Sequence, residues 1–117
     1  MTGPPAVPAV PDPLDRTLAA LADPARRRAV ELLRERPYRA GELAAALSVS
    51  ASVMSRHLKV LRDCDVVEEA SPEFDARVRI YSLRSGATAE LRRWLDAVEQ
   101  GWAEQLTALK THVERGR

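Results

Sequence analysis

The sequence predicts a mainly α-helical domain with one small β-hairpin, and three patterns carry that expectation. Apolar residues recur at helical spacing in four short segments between Leu14 and Asp63. Alternation with period two follows at Arg77–Leu83, next to the β-prone run Val66–Ala70. A last helical pattern then runs from about Thr88 to Val113. Two helices joined by a three-residue turn and followed by a hairpin make a winged helix-turn-helix. At 117 residues and 12.9 kDa the chain is long enough for one such domain and too short for two.

Residues 1–13 carry five of the eight prolines and a single charge, Asp12. So many missing N–H donors exclude a helix, and this stretch is read as a flexible or polyproline-like arm preceding a folded domain at 14–117. Having no basic residue, the arm lacks the charge that draws such segments into a minor groove. Leu14, Leu18 and Leu21, at spacings of four and three, begin a short amphipathic helix. Asp23-Pro24 ends it and starts the next, because Asp caps a helix well and Pro suits its first turn. The second helix runs through Ala29, Val30, Leu32 and Leu33 and stops before Pro37. The third begins near Arg39 or Ala40 and carries Leu43, Ala44 and Leu47. Ser48-Val49-Ser50 makes the turn, and Ser50 is placed to cap a fourth helix over 51–63.

On a wheel of ~100° per residue, that fourth helix divides sharply. Val53, Met54, His57, Leu58, Val60 and Leu61 share one arc, and Ser52, Ser55, Arg56, Lys59, Arg62 and Asp63 share the other. The small residues Ala51, Ser52 and Ser55 allow close approach to base edges, and Arg56 is long enough to reach a guanine. Lys59 and Arg62 suit phosphates. His57 projects from the middle of the apolar arc and is read as a packing residue.

Lys+Arg 18 against Asp+Glu 17 gives a formal net charge of +1, which excludes a protein that coats nucleic acid through bulk charge. Distribution says more. Residues 24–40 are net +4, 50–63 net +2 and 76–85 net +3, while 64–75 hold five acids and no base. Arg77 and Arg79, on the returning strand of the wing, therefore join the candidate DNA contacts, beside an acidic tip at Glu73 and Asp75. No nucleophile–base pair, glycine-rich phosphate loop or carboxylate constellation suggests an enzyme. With no membrane-spanning run and no signal-peptide pattern, the expected setting is cytoplasmic.

Several blocks resemble the ArsR/SmtB family of bacterial repressors. They are Leu-Ala-Asp-Pro-Ala-Arg-Arg-Arg at 21–28, Gly-Glu-Leu-Ala at 41–44, Val-Met-Ser-Arg-His-Leu-Lys-Val-Leu-Arg at 53–62 and Asp-Ala-Arg-Val-Arg-Ile-Tyr-Ser-Leu at 75–83. The resemblance implies a homodimer that binds a palindromic double-stranded operator and represses transcription, with Ala51, Ser52, Ser55 and Arg56 at the base-reading positions. Ser48 and Ala76 stand where the family commonly has glycine. The resemblance does not extend to metal sensing. There is no cysteine pair near Glu42–Ala46, and the last helix offers only His112 with Asp96 and Glu114. No cofactor or metal is expected, and the effector is unknown. Cys64, the lone cysteine, lies between Asp63 and Asp65, the opposite of the electropositive setting that makes a thiol reactive, and is read as a packing residue.

Leu91, Leu95, Val98, Trp102, Leu106, Leu109 and Val113 recur at spacings of 4, 3, 4, 4, 3 and 4, with Trp94 widening the stripe. So long a stripe exceeds what a small domain can cover, and a second copy of the helix is expected to bury it, with Trp102 as anchor. Two other readings stay open at this level: a metal- or redox-responsive sensor using Cys64 or His112, and a protein-interaction module on the same scaffold.

Overall fold

The computed structural model describes residues 12–116, which form five helices and a three-stranded antiparallel sheet. In chain order these are α1 (Pro13–Leu21), α2 (Pro24–Glu35), β1 (Tyr38–Arg39), α3 (Ala40–Leu47), α4 (Ala51–Asp63), β2 (Val67–Ala70), β3 (Ile80–Leu83) and α5 (Ala89–Arg115). Most of the expected arm lies outside the described residues. Its last two positions belong to α1: Asp12 accepts a hydrogen bond from the Asp15 N–H at 2.9 Å, and Pro13 opens the helix.

Asp23 caps α2 by accepting from the N–H groups of Ala25 (2.8 Å) and Arg26 (3.3 Å). The first arginines of α2 turn back onto α1. Arg26 Nε donates to the Ala20 carbonyl at 2.6 Å and Arg27 Nη1 to that of Leu21 at 2.8 Å, satisfying carbonyls left open at the end of α1. Arg36 stacks on the Tyr38 ring, 3.7 Å from its centroid, and pairs with Glu42 at 3.1 Å. Half of the arginines that make 24–40 net positive are thus committed to the fold.

Leu43, Met54, Leu58, Leu61, Val66 and Val67 are fully buried, joined by Ala20, Ala29, Leu33, Ala44 and Tyr81. Burying side chains of the larger kind contributes roughly 1.5–3 kcal/mol each. On α1 the buried residues are Thr17 and Ala20, not the leucine stripe, and Leu18 stays 40% exposed.

The sheet order is β1-β3-β2, so the hairpin gains a third strand on its far edge. Tyr38 pairs with Tyr81 and Arg39 with Ile80. Strand β3 is shorter than the alternation suggested, and Arg77 and Arg79 precede it. The reason is local hydrogen bonding. The Arg77 N–H donates to Asp75 Oδ1 at 2.9 Å and the Val78 N–H to the Asp75 carbonyl at 3.3 Å, so neither joins the ladder. Tyr81, rather than Ile80, is the buried residue of β3, opposite Glu69 in the register.

Candidate nucleic-acid interface

The turn between α3 and α4 fixes how the two helices cross. Helix α3 ends in a Schellman motif: the Val49 N–H donates to the Ala44 carbonyl at 3.0 Å and the Ser48 N–H to that of Ala45 at 3.2 Å. The pivot residue Ser48 is left-handed, with φ 55°. Ser50 Oγ then accepts from the Val53 N–H at 3.2 Å and caps α4. Helix α4 ends the same way, with the Val66 N–H on the Leu61 carbonyl at 2.9 Å, the Asp65 N–H on that of Arg62 at 3.0 Å, and Asp65 at φ 59°. The Asp65 carboxylate meets Arg84 at 2.7 Å and Arg16 at 3.7 Å, tying the end of α4 to the end of the wing and to α1.

Burial along α4 follows the wheel. Met54, Leu58 and Leu61 are buried, Val53, His57 and Val60 half-buried, and Ala51, Ser52, Ser55, Arg56, Lys59, Arg62 and Asp63 exposed. The His57 ring lies inward, with Nδ1 3.4 Å from Arg26 Nη1. The expected small-polar and basic residues therefore share one solvent-facing surface. Their charges are not equally available. Lys59 pairs with Asp63 at 2.8 Å, Arg77 with Asp75 at 3.4 Å, and Arg62 with Glu69 at 2.8 Å; Arg79 also pairs with Glu69. Among the described residues, Arg56 is in no ion pair.

Glu69 is the residue that sequence reasoning missed. Besides the two arginines it accepts a hydrogen bond from the Tyr81 hydroxyl at 2.8 Å. Burial alone would raise its carboxyl. The Tyr81 and Arg79 hydrogen bonds, with the charges of Arg79 and Arg62, overcome that and hold it below the ordinary carboxylate value. In return, burial first and then the hydrogen bond and charge of Glu69 push the Tyr81 phenol above its usual value. At the far end of the wing, Phe74 is 84% exposed between Glu73 and Asp75.

Residues 23–69 match the model of the bacterial regulatory protein arsR family. Over 93 residues, 80% of this chain and 81% of the relative, the sequence is 40% identical to the HTH-type transcriptional regulator Rv2034 of Mycobacterium tuberculosis. The chain belongs to the ArsR family. It is also 26% identical, over 70% of its length and 88% of the relative's, to the transcriptional repressor SdpR of Bacillus subtilis. Among solved structures it resembles the homodimeric winged helix-turn-helix DNA-binding domain Mb0332 from Mycobacterium bovis. That likeness covers 80% of this chain and 83% of the other, with a TM-score of 0.60 at 20% identity, and speaks for the fold. The protein is thus an ArsR-family transcriptional regulator with a winged helix-turn-helix DNA-binding domain.

Set against the family pattern, the two expected glycine positions behave differently. Ser48 takes the left-handed conformation that glycine would take freely, whereas Ala76 does not have a positive φ. The wing turn of this ArsR-family chain therefore does without glycine. Among the described residues, the stripe on α5 is covered only at its start, where α1 packs against it. Leu91 is half-buried, but Leu95, Val98, Trp102, Leu106 and Leu109 are exposed, Trp102 at 63%. Among the described residues, no three of His, Cys, Asp and Glu gather as a metal centre would need, and no helix is long and apolar enough to cross a membrane. Cys64 is half-buried and lines a cavity of about 220 Å³ with Arg16, Asp65 and Arg84.

Proposed function

We propose that this regulator is a homodimeric repressor that works in the cytoplasm on a palindromic double-stranded operator. Helix α4 enters the major groove, with Ala51, Ser52, Ser55 and Arg56 meeting base edges. Lys59 and Arg77 sit in exposed pairs, worth little in water, and exchange their acids for phosphates. Arg62 and Arg79 flank the same surface and, with Glu69 between them, present one net positive charge to the DNA backbone. Leu91, Leu95, Val98, Trp102, Leu106 and Leu109 form the dimer interface, which sets two α4 helices about one DNA turn, roughly 34 Å, apart.

The observation that carries this reading is the division of α4 into a core face and an exposed face where Arg56 stands without an acid partner. The test is Arg56→Ala combined with Lys59→Ala, assayed by electrophoretic shift against the DNA upstream of the protein's own coding sequence. The expected outcome is a loss of affinity on the order of 100-fold with the oligomeric state unchanged. Wild-type shifts from the double variant would refute the assignment of α4.

A further inference from the structure

Four cations of the proposed interface are paired, but the pairs are of two kinds. Lys59–Asp63 and Arg77–Asp75 join residues four and two apart in the chain, and the lysine and arginine in them are 67% and 93% exposed. Such pairs open and close at little cost. Glu69 is different: its side chain is only 14% exposed, and it holds donors 7, 10 and 12 residues away, from α4, from the wing turn and from β3. Its place is set by backbone pairing, because the ladder puts Glu69 directly opposite Tyr81. One carboxylate of the wing thus ties the reading helix to the wing turn and holds two of the cations proposed to meet phosphates.

Resting on the reading of α4 as the DNA-contacting helix, we propose that Glu69 is a specificity-determining residue: an internal counter-ion that withholds one of the two charges of Arg62 and Arg79 from phosphates and so suppresses binding to unrelated DNA. Phosphate contacts position a protein on DNA without reading sequence. Each arginine that neutralises a phosphate adds about 0.9 to the slope of log affinity against log salt. Two arginines shared with one carboxylate leave a single net charge for that purpose. Discrimination then falls to the α4 residues at base edges, and the ratio of specific to non-specific binding rises.

The test is Glu69→Gln in the full chain, which keeps an acceptor oxygen for the Tyr81 hydroxyl. Affinities are measured by fluorescence anisotropy over a salt series, on the upstream duplex and on a scrambled duplex of equal length. Glu69→Gln is expected to bind the scrambled duplex roughly tenfold tighter at low salt, to steepen the salt slope by about one, and to prefer the upstream duplex less. Adding Arg79→Ala to Glu69→Gln restores the single net charge and is expected to remove most of that gain. Affinity and slope equal to wild type, or weaker binding to both duplexes, would overturn the proposal. A second measurement uses the unaltered protein: on titration with scrambled duplex, the guanidinium NMR signals of Arg56 should move further than those of Arg62 and Arg79. Equal movement of all three also overturns it. Loss of upstream binding by Arg56→Ala with Lys59→Ala, alongside a wild-type Glu69→Gln, removes the Glu69 proposal alone. Undiminished binding by that double variant removes the α4 reading beneath it.

Discussion

Ser48 and Asp65 are the only described non-glycine residues with positive φ, and they occupy equivalent places at the ends of the two helices of the turn. Asp65 is compensated, since its carboxylate is gripped by Arg84 and Arg16. The Ser48 hydroxyl makes no hydrogen bond among the described residues, so nothing offsets its left-handed backbone, which costs an L-residue about 1–2 kcal/mol. Glycine would relieve that strain while giving up some unfolded-state restriction. Ser48→Gly should therefore stabilise the protein by roughly 0.5–1 kcal/mol in urea denaturation; an unchanged midpoint would mean that the turn carries no strain. The position of Ser48 was legible through the family resemblance, because glycine is common there and glycine favours the left-handed backbone that Ser48 adopts. Glu69 was not. In sequence it is one of five acids in an acidic stretch, and only the pairing of β2 with β3 brings it to Arg79 and Tyr81.

Helix α4 was almost wholly legible, because an amphipathic period over 13 residues leaves one way to bury the apolar arc. Its cap was legible as well. Ser50→Ala should cost about 1 kcal/mol, since the Val53 N–H then loses its side-chain acceptor at the start of the helix; thermal melting with and without operator DNA measures it. The shorter elements carried less signal. Strand β1 has two residues, too few for any period, and exists because β3 offers it an edge. The alternation at 77–83 overstated β3, because Asp75 captures the N–H groups of Arg77 and Val78 before they can join the ladder. In α1 the leucine period was real but misplaced the buried face, which small Thr17 and Ala20 occupy where the helix lies close to its neighbours.

At the scale of the whole molecule, 27 residues in α5 make a rod of about 40 Å that contains no buried residue. A soluble monomer rarely leaves so long an apolar stripe open, and this is the strongest support for the proposed homodimer. Trp102→Ala should weaken self-association by about 2 kcal/mol or more, on the order of 30-fold, by sedimentation equilibrium; an undisturbed dimer would place the interface elsewhere. The uncovered helix also makes stability a function of dose. Where an apolar stripe of this length waits for a second copy, each tenfold dilution subtracts about 1.4 kcal/mol from the assembled state, and occupancy of a two-site operator falls with the square of free subunit at low abundance. A repressor built this way reads how much of itself the cell contains, and a gene placed under its own operator would be held near the abundance at which its subunits first pair.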